Sequence, residues 1–475
     1  MEEKIKKTIQ KIKKTQEKNN RIIKILLKTK NELELEGTII LLSKEYLQIK
    51  LSSGYNIGVE YNNIKEIKIL EEKTKKTQEK NKIKKENIKK TIKNIKEEKI
   101  VLLHTGGTIA SKIDYETGAV HPKINTEELL ETYPELEKIM RIETIIVENL
   151  LSENIRFKHI NKLAEYIKKS LKDKKVKGII ITHGTDTMHY TAAGIKFMFN
   201  KINKPIIITG SQRSSDRPSS DAKINLLNAA YIIKEFEKTS IKPNVYILMH
   251  KSIKEEKTVL IEGIKARKNH SSRRDAFESI NKPTVATIDF YNRKIEENKE
   301  YYTCEEEKEE KNTEENIEKN IDENLKENTR ENINYKPYNT KIKVGIIKSK
   351  PNMFSEEIKF YKNYDGIIIE GTGFGHLPIE EDEENKKIYE EIKKIAEKKP
   401  VFMTRQTIKG ITNLKVYSAG RKLKKIKVLG DNTDITTEAA YMKLAWLLSN
   451  YNIKETKKLM EKNLKGEYCE NREIE

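Results

Sequence analysis

Cysteine is almost missing from this chain: its 475 residues include only Cys304 and Cys469. One sits in a charged stretch and the other near the C-terminal end, so they form neither a metal-ligand spacing nor a disulfide framework. That scarcity suits a reducing compartment. Long apolar runs are missing too. The longest early one, Ile22-Ile-Lys-Ile-Leu-Leu27, is broken by Lys24 and is too short for a signal sequence or a membrane span. The expectation is a soluble cytoplasmic protein with no membrane partner. No phosphate-cradling pattern is present either: Walker A and the dinucleotide fingerprint are lacking, and Gly371-Thr-Gly-Phe-Gly375 resembles the latter only superficially. No internal repeat stands out.

Charge is abundant where apolar content is low. Charged residues make up 35% of the chain and hydrophobic ones 36%, so part of the length is expected outside packed cores. The net charge of +20 points towards nucleic acid, but its placement is uneven. Residues 1–30 carry +8 and residues 71–100 carry +6, so these two segments hold most of the excess. They read equally as solvated helices and linkers.

Patterning divides the chain into successive regions. Residues 1–30 read as a basic helical extension. Residues 31–70 hold short β-rich runs separated by Gly turns, as in a small β-barrel. Residues 71–98 form a Lys-rich linker. Strands and helices then alternate over 99–295, the pattern of a doubly wound α/β domain. An acidic insertion spans 296–340, a smaller α/β domain 341–450, and a polar tail 451–475.

Two threonine turns carry the chemistry. His104-Thr-Gly-Gly-Thr-Ile-Ala-Ser111 follows the apolar run Ile100–Leu103, and Thr182-His-Gly-Thr-Asp-Thr-Met188 follows Val176–Ile181. Such Ile/Val-rich runs read as buried parallel strands, which places both turns at carboxyl strand ends, where open α/β sheets bind ligands. A threonine hydroxyl is a poor nucleophile and needs a base and an oxyanion site. Thr108 is the first candidate nucleophile, with the neighbouring glycines offering close approach and N–H donors. Thr185 stands next to the carboxylate of Asp186, which could hold a substrate ammonium or orient a base. Either turn alone also reads as a capping cluster. A base is still lacking; Lys268, if desolvated near Thr185, would serve. Spacing alone does not single it out among 94 Lys and Arg residues. No metal ligands are expected.

Together the two turns resemble the paired signatures of the L-asparaginase/glutaminase family, over roughly residues 98–450. That resemblance implies an asparaginase-like fold of two α/β domains and release of ammonia from a side-chain amide through a covalent acyl-enzyme. It implies that Thr108 is the nucleophile, with Thr185, Asp186 and Lys268 as the second cluster. It further implies that Ser152 and Glu153, with Asp186, hold the substrate's α-carboxylate and α-amine. Tyr115 matches the family's loop tyrosine. His376 stands where simple asparaginases place a neighbouring-subunit Asn.

Further segments are similar to one branch, the D subunits of archaeal glutamyl-tRNA(Gln) amidotransferases. These are Asp114–Val120, Gly210–Asp221, Lys268–Phe277, Phe402–Thr407 and, in the barrel, Lys50–Gly58. That similarity implies an amidohydrolase subunit acting on glutamine or asparagine. It implies a homodimer within a D2E2 heterotetramer, and ammonia passed to the E subunit, which binds glutamyl-tRNA(Gln) and uses ATP and Mg²⁺. No cofactor is implied for this chain. A stand-alone L-asparaginase and an idle RNA-binding scaffold are the competing readings.

Overall fold

A computed structural model describes residues 21–42, 46–51, 56–74, 98–107, 111–113, 120–122, 133–213, 220–254, 257–302 and 332–469. The chain falls into two compact units, one built mainly from the N-terminal residues and the other mainly from residues 98 onward.

The first unit is an antiparallel sheet of β1 (Arg21–Thr29), β2 (Glu34–Leu42), β3 (Tyr46–Leu51), β4 (Asn56–Glu60) and β5 (Ile64–Thr74), in the order β4-β3-β2-β1-β5. The helical reading of residues 1–30 is corrected over 21–29, which form a strand, and residues 1–20 lie outside the described residues. The reason is periodicity: Ile23, Ile25 and Leu27 are fully buried, alternating with Lys24 and Lys28, which gives a repeat of two. The sheet therefore begins ten residues before the expected barrel, with β1 between β2 and β5. The strand β5 also extends past residue 70 into the expected linker. Its core is Ile23, Ile25, Leu27, Leu35, Ile39, Leu47, Ile49, Val59 and Ile64.

Most of the second unit is α/β. Its large lobe is an eight-stranded sheet ordered β17-β16-β13-β12-β11-β10-β6-β9. The parallel part runs through β6 (Lys99–Gly106), β9 (Arg141–Leu150), β10 (Val176–Thr182), β11 (Ile206–Thr209) and β12 (Val245–His250). Antiparallel β13 (Thr258–Glu262), β16 (Ala286–Asp289) and β17 (Lys294–Glu297) extend it. A small hairpin sheet pairs β14 (Ala266–Lys268) with β15 (Phe277–Ser279); the other two-stranded sheet, β7 (Ser111–Ile113) with β8 (Val120–Pro122), falls mainly with the first unit. From β6 the chain crosses to β9 on one side, then returns to β10 on the other. The carboxyl ends of β6 and β10 thus flank a switch point, where an open sheet leaves a crevice.

Helices α1 (Glu135–Ile139), α2 (Phe157–Lys172), α3 (Met188–Met198) and α4 (Ala222–Glu235) cover this sheet. In α2, Ile160, Leu163, Ala164, Ile167 and Leu171 are buried at helical spacing, as the sequence predicts. The small lobe has the parallel sheet β18 (Val344–Lys348), β19 (Gly366–Gly371), β20 (Val401–Arg405). Its helices are α5 (Ser355–Lys359), α6 (Glu383–Lys398), α7 (Ser418–Lys425), α8 (Thr437–Asn450) and α9 (Ile453–Met460). The two lobes share a core in which Ala192, Ile195 and Phe197 of α3 join Ala440, Met442 and Trp446 of α8.

The expected polar tail is a second correction, because residues 453–469 pack as structure. Lys443 lies on the buried face of α8 with no exposure and needs acceptors. It donates to the carbonyls of Met460 (3.0 Å) and Lys462 (2.6 Å) and pairs with the Glu467 carboxylate at 2.6 Å. Residue 467 is also fully buried and residue 468 nearly so, which polar composition alone could not disclose. Most of the acidic insertion, 303–331, lies outside the described residues. Removing one member of a buried ion pair strands the other charge, at a cost of roughly 3–5 kcal/mol. Glu467→Gln is therefore expected to lower the thermal unfolding midpoint clearly, and Lys443→Met combined with Glu467→Gln to recover much of the loss. A single variant that melts with the wild type would contradict the buried pairing.

Candidate active site

Both threonine turns emerge from adjacent parallel strands, with Thr182 of β10 in register with His104 of β6. Backbone approach, made possible by glycine, brings them together. Gly106 and Gly107 have φ of 114° and 85°, and a Cβ on Gly107 would lie 2.4 Å from the Gly184 amide nitrogen. A Cβ on Gly184 would in turn fall 2.7 Å from that of Ser152. The Gly107 N–H donates to the Leu150 carbonyl at 3.2 Å, and the Thr187 hydroxyl to the Ser152 carbonyl at 2.7 Å. The turn Ser152–Asn154 is thereby held against the second threonine turn, with Ser152 buried and Glu153 exposed.

The decisive arrangement is around Lys268, at the end of β14. Its ammonium donates to Thr185 Oγ1 at 2.7 Å, Asp186 Oδ1 at 2.8 Å and Gln212 Oε1 at 3.3 Å. Thr185 is buried, whereas the Asp186 side chain is 66% exposed and open to a ligand. The structure thus brings Thr185, Asp186 and Lys268 together, with Ser152 next to them through Gly184 and Thr187. Thr108 and Tyr115 lie outside the described residues.

Sequence reasoning did not single out the groups behind this cluster. The loop bearing Gln212 is tied down by Asp221, whose carboxylate accepts the Gln212 and Arg213 amides at 2.9 and 3.0 Å. Burial pushes the Asp221 carboxyl above its ordinary pKa, partly offset by those two amides. Asn225, one helical turn on, donates to the Gly210 carbonyl at 2.9 Å and bonds His250 Nδ1 at 2.7 Å. The Asp-x-x-x-Asn spacing at 221 and 225, on one helix face, was the available signal. On the other side of Lys268, Arg267 Nε lies 3.3 Å from Glu438 Oε1 on α8.

Histidines line the site as neutral struts. His104 Nδ1 meets Thr182 Oγ1 at 2.7 Å, and His183 meets Thr191 Oγ1 at 2.8 Å and the Gly184 carbonyl at 2.6 Å. Burial depresses both pKa values to about 4, and that of His250 to about 4 as well. These imidazoles stay uncharged at neutral pH, which leaves lysine rather than histidine as the basic group touching Thr185.

Comparison with known proteins places both lobes in asparaginase-type families. The asparaginase N-terminal domain family matches residues 99–301 and the glutaminase/asparaginase C-terminal domain family residues 343–460. Among solved structures, the thermostable L-asparaginase from Thermococcus kodakarensis superposes with a TM-score of 0.62 at 27% identity, covering 78% of this chain and 100% of its own. L-asparaginase I from Vibrio cholerae gives 0.61 at 26%, covering 78% and 99%. Relatives of greater similarity align over nearly the whole length. The D subunit of glutamyl-tRNA(Gln) amidotransferase from Methanococcus maripaludis is 40% identical over 92% of this chain and 96% of its own. That of Pyrococcus furiosus is 38% identical over 94% and 93%. This chain belongs to the glutamyl-tRNA(Gln) amidotransferase D-subunit family. Membership makes it an enzyme subunit of the amidotransferase class, built on an asparaginase-type body. The N-terminal sheet precedes both asparaginase matches, so D-subunit relatives extend beyond that body where this chain does. Among the described residues, no helix is long and apolar enough to cross a membrane.

The neutral histidines set a pH dependence. Their pKa values near 4 lie below the unfolded value of about 6.5, so on acidification the unfolded chain binds protons first. Stability from these groups is full above about pH 6.5 and is lost as pH falls towards 4, by up to about 3 kcal/mol for each group. The unfolding midpoint should therefore drop across that window, and less steeply in His183→Asn. A flat profile in the wild type would mean that the imidazoles are not held neutral.

Proposed function

We propose that this chain is the amide-hydrolysing subunit of a tRNA-dependent amidotransferase, taking ammonia from glutamine or asparagine. The Lys268 ammonium bridging Thr185 Oγ1 and Asp186 Oδ1 at the carboxyl end of β10 is the observation that carries this reading. In the proposed reaction the Thr108 oxygen attacks the side-chain amide carbon. The C–N bond breaks, the nitrogen leaves as ammonia after gaining a proton, and an ester to Thr108 remains. Water then cleaves that ester, returning the hydroxyl and releasing the acid. Thr185 and Lys268 relay the protons; the exposed Asp186 carboxylate, with Ser152 and Glu153, receives the α-amine and α-carboxylate. Tyr115 is assigned to substrate binding from its match to the family's tyrosine.

The ammonia is proposed to pass through an internal channel to the E subunit within a cytoplasmic D2E2 assembly. That partner would activate glutamyl-tRNA(Gln) with ATP and Mg²⁺ and form glutaminyl-tRNA(Gln), while this chain itself needs no cofactor. The full-length similarity to named D subunits, including the region before the asparaginase body, favours this over a free-standing asparaginase.

Thr108→Ala should abolish glutamine hydrolysis while the assembled complex still amidates glutamyl-tRNA(Gln) when ammonium chloride is supplied. Failure of ammonium to rescue would remove the division into hydrolysis and transfer. Lys268→Met is expected to lower kcat by about 10²–10⁴-fold, the range for loss of a general acid–base group. Glutaminase turnover should also rise when the E subunit and glutamyl-tRNA(Gln) are added. Full asparaginase activity in the isolated chain, unmoved by either, would favour the free-standing enzyme.

A further inference from the structure

The strand that delivers Lys268 is gripped from behind by the small lobe. Lys265, directly before β14, is 1% exposed and donates to Asp434 Oδ2 at 2.8 Å and the Glu467 carbonyl at 2.9 Å. Lys265, the last residue of the turn before β14, and Arg267 within it form one pair by their contacts, and Ala266 and Lys268 form another. The first pair meets Asp434 and Glu438, four residues apart in the small lobe. Of the second pair, Ala266 enters the shared core and Lys268 reaches Thr185 and Asp186.

Asp434 joins three parts of the unit. Its carboxylate accepts Lys265 from the large lobe and the Cys469 N–H, at 2.9 Å, from the C-terminal segment. Its carbonyl accepts Asn281 at 3.1 Å and Arg405 at 3.1 Å. A residue so enclosed, 2% exposed and fixed by both main chain and side chain, has one position available.

We propose that Asp434 is a positioning residue for amide hydrolysis, setting through Lys265 the placement of Lys268, with Arg267–Glu438 as the second anchor. The inference rests on the reading that Lys268 takes part in proton transfer. Its force is geometric: a displacement of about 1 Å at a reacting group can lower the rate on the order of 10²-fold.

Asp434→Asn keeps the carbonyl that binds Asn281 and Arg405 but removes the charge that holds Lys265. In the full-length chain assembled with its partner, glutamine kcat should fall on the order of 10²-fold. KM should change little, because Ser152, Glu153 and Asp186 are untouched. Glu438→Gln should act in the same direction, more weakly. The discriminating measurement is a double-mutant cycle: in a Lys268→Met background, Asp434→Asn should cause no further loss, whereas a merely destabilising change would remain additive. If Lys268→Met alone keeps wild-type turnover, the reading of Lys268 falls and this inference with it. If Lys268→Met is impaired but folded Asp434→Asn and Glu438→Gln turn over normally, or the cycle is additive, only the positioning role is overturned. Should Asp434→Asn fail to fold, Glu438→Gln decides: reduced kcat at unchanged KM supports the role, and unchanged kcat refutes it.

Discussion

Everything at this site depends on how closely four stretches of backbone pass one another at the carboxyl edge of β6 and β10. A Cβ on Gly106 would lie 2.1 Å from the Leu150 carbonyl oxygen, and one on Gly210 would lie 2.4 Å from that of His183. Together with the Gly107–Gly184 and Gly184–Ser152 approaches, these leave no room for side chains between the turns. The sheet topology opens a crevice there, and the glycines let the two threonine turns share it. Close approach, rather than any single strong bond, converts a strand order into a site.

Charge is distributed around that crevice in a way that magnitudes make intelligible. The Lys268–Asp186 pair is open on the carboxylate side, and an exposed pair contributes only about 0–1 kcal/mol to stability. Its contribution therefore lies in orientation, with the Asp186 carboxylate left exposed at the crevice. The ion pairs at Lys265–Asp434 and Lys443–Glu467 are the opposite case, with both partners at 2% exposure or less. Such pairs gain little net stability from being charged, yet they tolerate no mismatch, so they fix geometry. Behind the reacting cluster, neutral histidines and the Asp221–Asn225 network supply hydrogen bonds without adding mobile charge.

Sequence reasoning reached the parts whose signals are local. Runs such as Ile179–Ile181 and Ile206–Ile208 read as buried strands because a parallel sheet covered on both faces needs continuous apolar residues. Each threonine turn was visible as glycine-containing punctuation after such a run. Lys268 was different: nothing in its neighbourhood separates it from other lysines, and only resemblance to a family pointed to it. Strands that interleave polar residues were missed for a related reason. β9, Arg141–Leu150, interleaves Glu and Thr with its apolar residues, and β1 carries lysines that drew attention to charge rather than to period. The packed C-terminal segment was invisible because Glu467 is buried by Lys443, a partner 24 positions away.

The least legible layer is also the one that joins the lobes. Asp434 and Lys265 are separated by 169 residues, and neither sits in a motif that announces chemistry. Their pairing follows from topology: β20 ends in Arg405, whose guanidinium donates to the carbonyls of Asp434 and Ile435, fixing the entry to α8. That entry presents Asp434 and Glu438 to the back of the segment carrying Lys268. The small lobe is therefore not a remote domain attached to a finished site. A change in its packing that shifts the start of α8 is transmitted through two ion pairs to the lysine beside Thr185.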